Sequence, residues 1–236
     1  MTRPGLSIYC DSHDISPCYQ AATLDTLLRC GAVGAIAMVE GITGERGSQL
    51  ADLDDVRRFV DLCGARDIDV TACAFPDVRE PHTRSIGHLE ACISVGCDVE
   101  LDAEPRAGAH WTPALARVWL DRLPTLSITT TRTEAPRLGR VDRLVRGQLE
   151  QLTSVDTLDD ALRKLAGLTD RRRIQPVVGT FDQRGVVRTP AMLRRDLARC
   201  SQQALDSGGL AAWSAHTVSH AEAAALLEWA LALWAP

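Results

Sequence analysis

The sequence predicts a single (β/α)8-type barrel of the α/β class, and three observations lead there. Short β-rich runs alternate strictly with segments whose apolar residues recur three and four apart, the pattern of a parallel sheet covered by helices. Eight strand-like and eight helix-like segments fit into 236 residues, and α/β barrels of roughly 200–250 residues form one domain. No Ser/Gly-rich linker or shift in composition divides the chain, so residues 1–236 read as one barrel domain, and a catalytic one on the evidence of its fourth strand.

Each element has a local reason. The first strand is expected at 5–11, followed by a helix over 21–30 that stops at Gly31. The second strand covers 32–40, and the helix after it places Leu53, Val56, Val60 and Cys63 on one face. The third, 68–75, ends at Pro76; a helix through 86–95 leads to the fourth strand at 98–104. Thr112-Pro113 is a helix start, a capping hydroxyl with proline at the first helical position. The fifth strand covers 126–131, the stretch 136–145 is weakly helical, and the sixth strand is expected at 147–152. Leu158, Leu162, Leu165 and Leu168 mark the next helix, and the seventh strand covers 174–180. Thr189-Pro190 opens a helix with Leu193, Leu197, Cys200 and Ala204 on its face, and Gly208-Gly209 introduces the eighth strand at 210–215. Ser219 and Glu222 form a capping box ahead of the last helix, 221–234. An open doubly wound sheet would require two of these strands to be misplaced, and no glycine-rich phosphate loop follows the first strand.

Composition excludes some function classes. The net charge is −5 and the basic residues, all arginine except Lys164, are scattered among acidic ones, which argues against a nucleic-acid partner. No stretch approaches the roughly 18 apolar residues of a membrane span, and Met1 to Ser7 lacks the basic-then-apolar pattern of a signal peptide. Synthesis in the cytoplasm is therefore expected, and any outside target would require a phage-type or secretion-machine route. The eight cysteines show no CxxC pair and most fall in apolar runs, so they read as reduced core thiols. The histidines have no metal-ligand spacing, and neither metal nor cofactor is expected.

In such a barrel the active site lies at the carboxyl ends of the strands. The fourth strand is distinctive there: Val99, Leu101 and Ala103 alternate with Glu100, Asp102 and Glu104. The apolar set suits packing against helices, which turns the acids into the barrel. Carboxylates about 7 Å apart on one inward face form a costly arrangement that raises at least one pKa, the usual route to a general acid. A solvated edge strand would carry the same residues without function, but a closed barrel has no edge.

Glu100-Leu101-Asp102-Ala103-Glu104 resembles the fourth-strand signature of family-18 chitinase-like glycosidases, and also the shorter Asp-x-Glu of family-25 lysozymes. Gly208-Gly209-Leu210-Ala211-Ala212-Trp213-Ser214 resembles the eighth-strand segment of the chitinase group, which ends in a tryptophan under the sugar. Tyr9-Cys10-Asp11-Ser12 and Val39-Glu40-Gly41 resemble the lysozyme group more. Glu100 departs from the aspartate usual in the chitinase pattern, Asp98 from the usual glycine, and Gln148-Leu149-Glu150-Gln151 lacks the tyrosine-aspartate pair of the sixth strand. The resemblance implies a retaining glycosidase with a polysaccharide substrate, peptidoglycan first and chitin second. Glu104 would protonate the glycosidic oxygen, Asp102 would orient the substrate's N-acetyl group as nucleophile, and Glu100 would tune Asp102 from below. In a lysozyme-like mechanism Asp11 would join as a further carboxylate.

Trp213 is a candidate platform for a sugar ring, though tryptophan is as often core. Trp111, in the loop beyond the fourth strand, is a candidate groove-lining ring. Glu40 and Glu150 are the leading further substrate-binding residues near strand ends, ahead of Arg132, Asp182 and His216. Two other readings stand beside the glycosidase: a metal-dependent sugar isomerase-like barrel using Glu104 and other strand-end ligands, and a catalytically silent glycan-binding barrel.

Overall fold

The computed structural model describes residues 5–10, 21–42, 48–79, 81–105, 108–148, 155–180, 189–213, 215 and 218–233. The first half of the chain runs β1 (Gly5–Cys10), α1 (Ala21–Arg29), β2 (Gly34–Ile42), β3 (Ser48–Leu50), α2 (Leu53–Gly64), β4 (Asp69–Ala74), α3 (Thr83–Ser94) and β5 (Asp98–Asp102). It continues through α4 (Pro113–Arg122), β6 (Ser127–Thr131), α5 (Ala135–Leu138), β7 (Val145–Gln148), α6 (Val155–Leu165), β8 (Ile174–Gly179), α7 (Pro190–Ser207), β9 (Gly209–Trp213) and α8 (His220–Leu233). Eight strands are parallel neighbours in the order β1, β2, β4, β5, β6, β7, β8, β9, and β9 pairs back onto β1. The sheet closes, giving the eight-stranded α/β barrel, with helices outside. Strand β3, not foreseen from the sequence, pairs antiparallel with the end of β2.

The expected caps form. Thr112 Oγ1 accepts the Leu115 N–H at 3.2 Å and Thr189 Oγ1 the Met192 N–H at 3.3 Å, each just before a proline that needs no such partner. The Ser219 N–H donates to Glu222 Oε2 at 2.8 Å, and Ser219 Oγ accepts the Glu222 N–H at 3.3 Å, closing the capping box. Gly208 ends α7 with φ 75, the left-handed conformation that glycine adopts without steric cost.

Period-two alternation sorts the strand residues into two cores. Leu6, Ile8, Ala35, Ala37, Val70, Ala72, Val99, Leu101, Ile128, Val145, Leu210 and Ala212 belong to the layer between sheet and helices. Tyr9, Ile36, Met38, Cys73, Val177 and Ala211 form a smaller cluster inside the barrel. The seven cysteines among the described residues are buried, and burial pushes the thiols of Cys63, Cys92 and Cys97 up to about 12. Cys18 lies outside the described residues.

Two expectations need correction. The sixth barrel strand is Val145–Gln148, two residues before the expected start at 147. Its parity is set by Gly147, where a Cβ would collide with the Leu165 side chain of α6, so Gly147 faces the helices and Arg146 faces inward. The second correction concerns Glu40. Strand β2 carries a bulge: Met38 is the partner of Cys73, but Glu40, not Val39, is the partner of Ala74. Ala74 packs in the helix-side layer, and so the bulge turns Glu40 away from the barrel, where its Oε1 accepts the Ser85 hydroxyl of α3 at 2.7 Å. Glu40 is therefore a buried strand-to-helix tie rather than a residue of the barrel mouth.

Candidate active site

Strand β5 divides as its alternation requires. Val99, Leu101 and Ala103 pack in the outer core, while Glu100 and Asp102 are buried on the other face. Glu100 lies deepest, with no exposed surface. Its Oε1 lies 2.7 Å from the Tyr9 phenol and 2.7 Å from the Thr129 hydroxyl, which are also in short contact with each other, so two protons serve the three contacts. Oε2 accepts the Ser127 hydroxyl at 3.1 Å and forms a short ion pair with Arg146. Arg146 is itself 1% exposed and uses Nε to donate to Gln175 Oε1 at 3.0 Å. The network thus draws on β1, β5, β6, β7 and β8 and fills the barrel's interior with satisfied polar groups.

This network changes the electrostatic expectation for the acidic row. The inner carboxylate does not face its like-charged neighbour uncompensated, because a buried guanidinium sits against it. An isolated buried charge is very costly, and pairing with further hydrogen bonds makes it tolerable. Burial disfavours the charged guanidinium, but Glu100 overrides this and holds Arg146 above its usual range. Burial, then the Glu100 charge, push the Tyr9 phenol well up, so it is a hydrogen-bond donor throughout the neutral range. Cys73, opposite Glu100 in the β4–β5 register, is driven well up by burial and by the charges of Glu100 and Asp102. Its thiol packs with the apolar side chains inside the barrel.

Outward from Glu100, Asp102 is 2% exposed and is the register partner of Thr129. The Ala103 N–H still bonds the Thr129 carbonyl at 2.8 Å, so the ladder continues one residue past β5. Glu104 follows, half-buried, at the carboxyl end of the strand where barrel chemistry is placed. Trp213 ends β9, also half-buried, with its ring centroid 4.5 Å from that of Tyr9 at an interplanar angle of 39°. It therefore roofs the polar network. The interior of the barrel grades from a charge-balanced floor at Glu100 and Arg146 to a rim bearing Glu104 and an aromatic ring.

Other expected residues fall elsewhere. Trp111 does not line a groove: it is 1% exposed, packed against His82 and Trp119 at 5.3 and 6.2 Å between centroids. Its polar edge is satisfied inside, the indole N–H donating to the Glu104 carbonyl at 3.2 Å, so burial of the large ring wins over exposure. Arg132 is a rim residue, 3.7 Å from Asp160. Asp11, Glu150, Asp182 and His216 lie outside the described residues. Among the described residues no group of three His, Cys, Asp or Glu side chains is placed to hold a metal ion, and no helix is long and apolar enough to cross a membrane.

Sequence reasoning missed Arg146, Thr129 and Ser127. The hydroxyl alternation of Ser127, Thr129 and Thr131 was a legible sign of a polar inward face beside the acids. Arg146 was hidden by the misplaced sixth strand.

No protein-family model and no curated protein matches the sequence. Solved structures do resemble it. A Group IV chitinase from Ostrinia furnacalis, in complex with allosamidin, matches with a TM-score of 0.66 and 10% identity, over 98% of this chain and 99% of its own. The Bacillus cereus spore cortex-lytic enzyme SleL matches at 0.62 and 10% identity, over 97% of this chain and 75% of its own. The tamarind chitinase-like lectin matches at 0.56 and 8% identity, over 95% and 99%. With the barrel's closure, these likenesses establish a TIM-barrel fold resembling that of family-18 chitinases and chitinase-like proteins.

Proposed function

We propose that the chain is a glycosidase that cleaves β-linked glycans containing N-acetylhexosamine, with peptidoglycan first and chitin second as substrate. The observation that carries this reading is the β5 acidic row, buried and charge-balanced at Glu100 and half-buried at Glu104 on the rim. A proton donor must reach a bulky substrate, which suits Glu104; a group that orients and balances charge belongs deeper, which suits Asp102. In a substrate-assisted reaction the 2-acetamido oxygen attacks the anomeric carbon while Glu104 protonates the leaving oxygen. Asp102 then holds the acetamide N–H and offsets the positive charge developing on the ring that forms. Arg146 and Tyr9 hold Glu100 in place as the floor of that site.

The deciding assay offers purified protein matched acetylated and de-N-acetylated oligosaccharides, with and without EDTA. Cleavage of the acetylated chain only, unchanged by EDTA, is the expected result. Efficient cleavage of the deacetylated chain would replace acetamide attack by direct carboxylate attack. Activity lost to EDTA and restored by Mg2+ would favour the isomerase-like, metal-dependent reading.

The likeness to a chitinase-like lectin favours a second reading, a barrel that binds glycan without cutting it. In that case the same assay gives saturable binding and no products.

Trp213→Ala tests the rim under either reading. With the ring half-exposed above Tyr9, glycan affinity is expected to fall at least about tenfold, in line with the roughly 0.5–1.5 kcal/mol of aromatic contacts plus lost burial. Isothermal titration and thermal melting separate the outcomes. Unchanged affinity with a stability loss of about 3–5 kcal/mol would make Trp213 a core residue only.

A further inference from the structure

Beside the acidic row lies a buried carboxylate that the proposed chemistry does not use. Glu134 follows β6, is 1% exposed, and its own N–H donates to the Thr131 carbonyl and hydroxyl, both at 3.2 Å. Its Oε1 accepts the backbone N–H of Trp111 at 2.8 Å. Its Oε2 faces His110 Nδ1 at 2.9 Å and, more distantly, Arg137 Nε at 3.6 Å. From Trp111 the chain of contacts returns to β5 through the indole N–H and the Glu104 carbonyl. The ring's place is set by His82 and Trp119, whose own indole donates to His82 Nδ1 at 2.5 Å.

The backbone explains why Glu104 needs such a hold. The Ala103 N–H extends the ladder to Thr129, and Pro105 follows Glu104 without an N–H to donate. Pro105 restricts Glu104 to extended backbone but leaves its carbonyl to be satisfied from elsewhere. Trp111 supplies that donor, and Glu134 supplies the acceptor that fixes Trp111.

We propose that Glu134 is a positioning residue that sets the place of Glu104 through Trp111. The inference rests on the reading of Glu104 as proton donor. It concerns alignment, so its signature is a fall in kcat at nearly constant KM, since a displacement of about 1 Å can cost on the order of 10²-fold in rate.

The test uses the full chain, an N-acetylhexosamine tetrasaccharide as substrate, and NMR exchange of the Trp111 indole proton as a readout that needs no turnover. Glu134→Ala is expected to lower kcat at least tenfold with KM within threefold, and to speed indole exchange at least tenfold. Glu134→Gln keeps an oxygen for the Trp111 N–H and is expected to restore most of both. Trp111→Phe removes the indole donor together with part of the ring and is expected to lower kcat like Glu134→Ala; it carries the kinetic test if Glu134→Ala does not fold. Wild-type kcat in Trp111→Phe, or unchanged indole exchange in a folded Glu134→Ala, overturns the proposal. The parent reading is judged separately by Glu104→Gln. Should that variant turn over like the wild type, the proton-donor role falls and indole exchange alone decides whether Glu134 holds the loop.

Discussion

Glu104→Gln is expected to reduce glycan hydrolysis by at least about 10²–10⁴-fold, the usual contribution of a general acid, while melting as the wild type does. The amide matches the carboxyl group in shape and removes only the transferable proton. Glu104 is half-buried at the end of β5, outside the buried ion pair, so the substitution leaves the packed interior intact. The measurement is kcat/KM on an acetylated oligosaccharide with circular-dichroism melting in parallel. Wild-type turnover in a folded variant would remove Glu104 from the chemistry. Loss of both rate and melting temperature would point to a structural role instead.

Arg146→Met is expected to be the most destabilising single change in the barrel, by about 3–5 kcal/mol, the range for removing one partner of a buried ion pair. The variant leaves the Glu100 carboxylate inside the barrel with hydroxyl donors but no cation. Tyr9, Thr129 and Ser127 would still donate, which is why the expected loss stops short of unfolding the chain. Urea unfolding of Arg146→Met, Glu100→Gln and the double variant measures it. The double variant is expected to recover part of the loss, because it no longer buries an unpaired charge. Additive losses would mean that Arg146 and Glu100 act independently, contrary to their contact.

The pair also bears on function. A glycan site needs a fixed arrangement of donors and charges, and fixing them in advance lowers the reorganisation that the reaction must drive. In this barrel Arg146 from β7 and Thr129 from β6 converge on Glu100, and Gln175 from β8 accepts from Arg146. Asp102 ends the same strand and Glu104 follows it two residues on, toward the rim.

How much of this was legible in the chain depends on the range of the forces involved. Helix and strand positions came from periodicity and caps, which are local: the Thr112-Pro113 and Thr189-Pro190 starts, the Ser219–Glu222 box, and the alternation of β5 all formed as expected. Burial of the acidic face followed from the same alternation once the sheet was taken as closed, since a strand with neighbours on both sides has one face toward helices and one toward the barrel. Tertiary structure alone decided three other matters. A one-residue bulge turned Glu40 outward, because a two-residue period reverses its facing with every inserted residue. Trp111 went to the core because His82, 29 residues earlier, joins Trp119 of the following helix in a pocket for its ring, and the Glu104 carbonyl meets its N–H. Arg146 became the counter-charge of Glu100 because closure brings β7 within reach of β5, and pairing across 46 positions of sequence leaves no local pattern to read. The sequence by itself determined the barrel and its acidic strand; only packing at long range placed a counter-charge against Glu100 inside the barrel and left Glu104 half-buried at its rim.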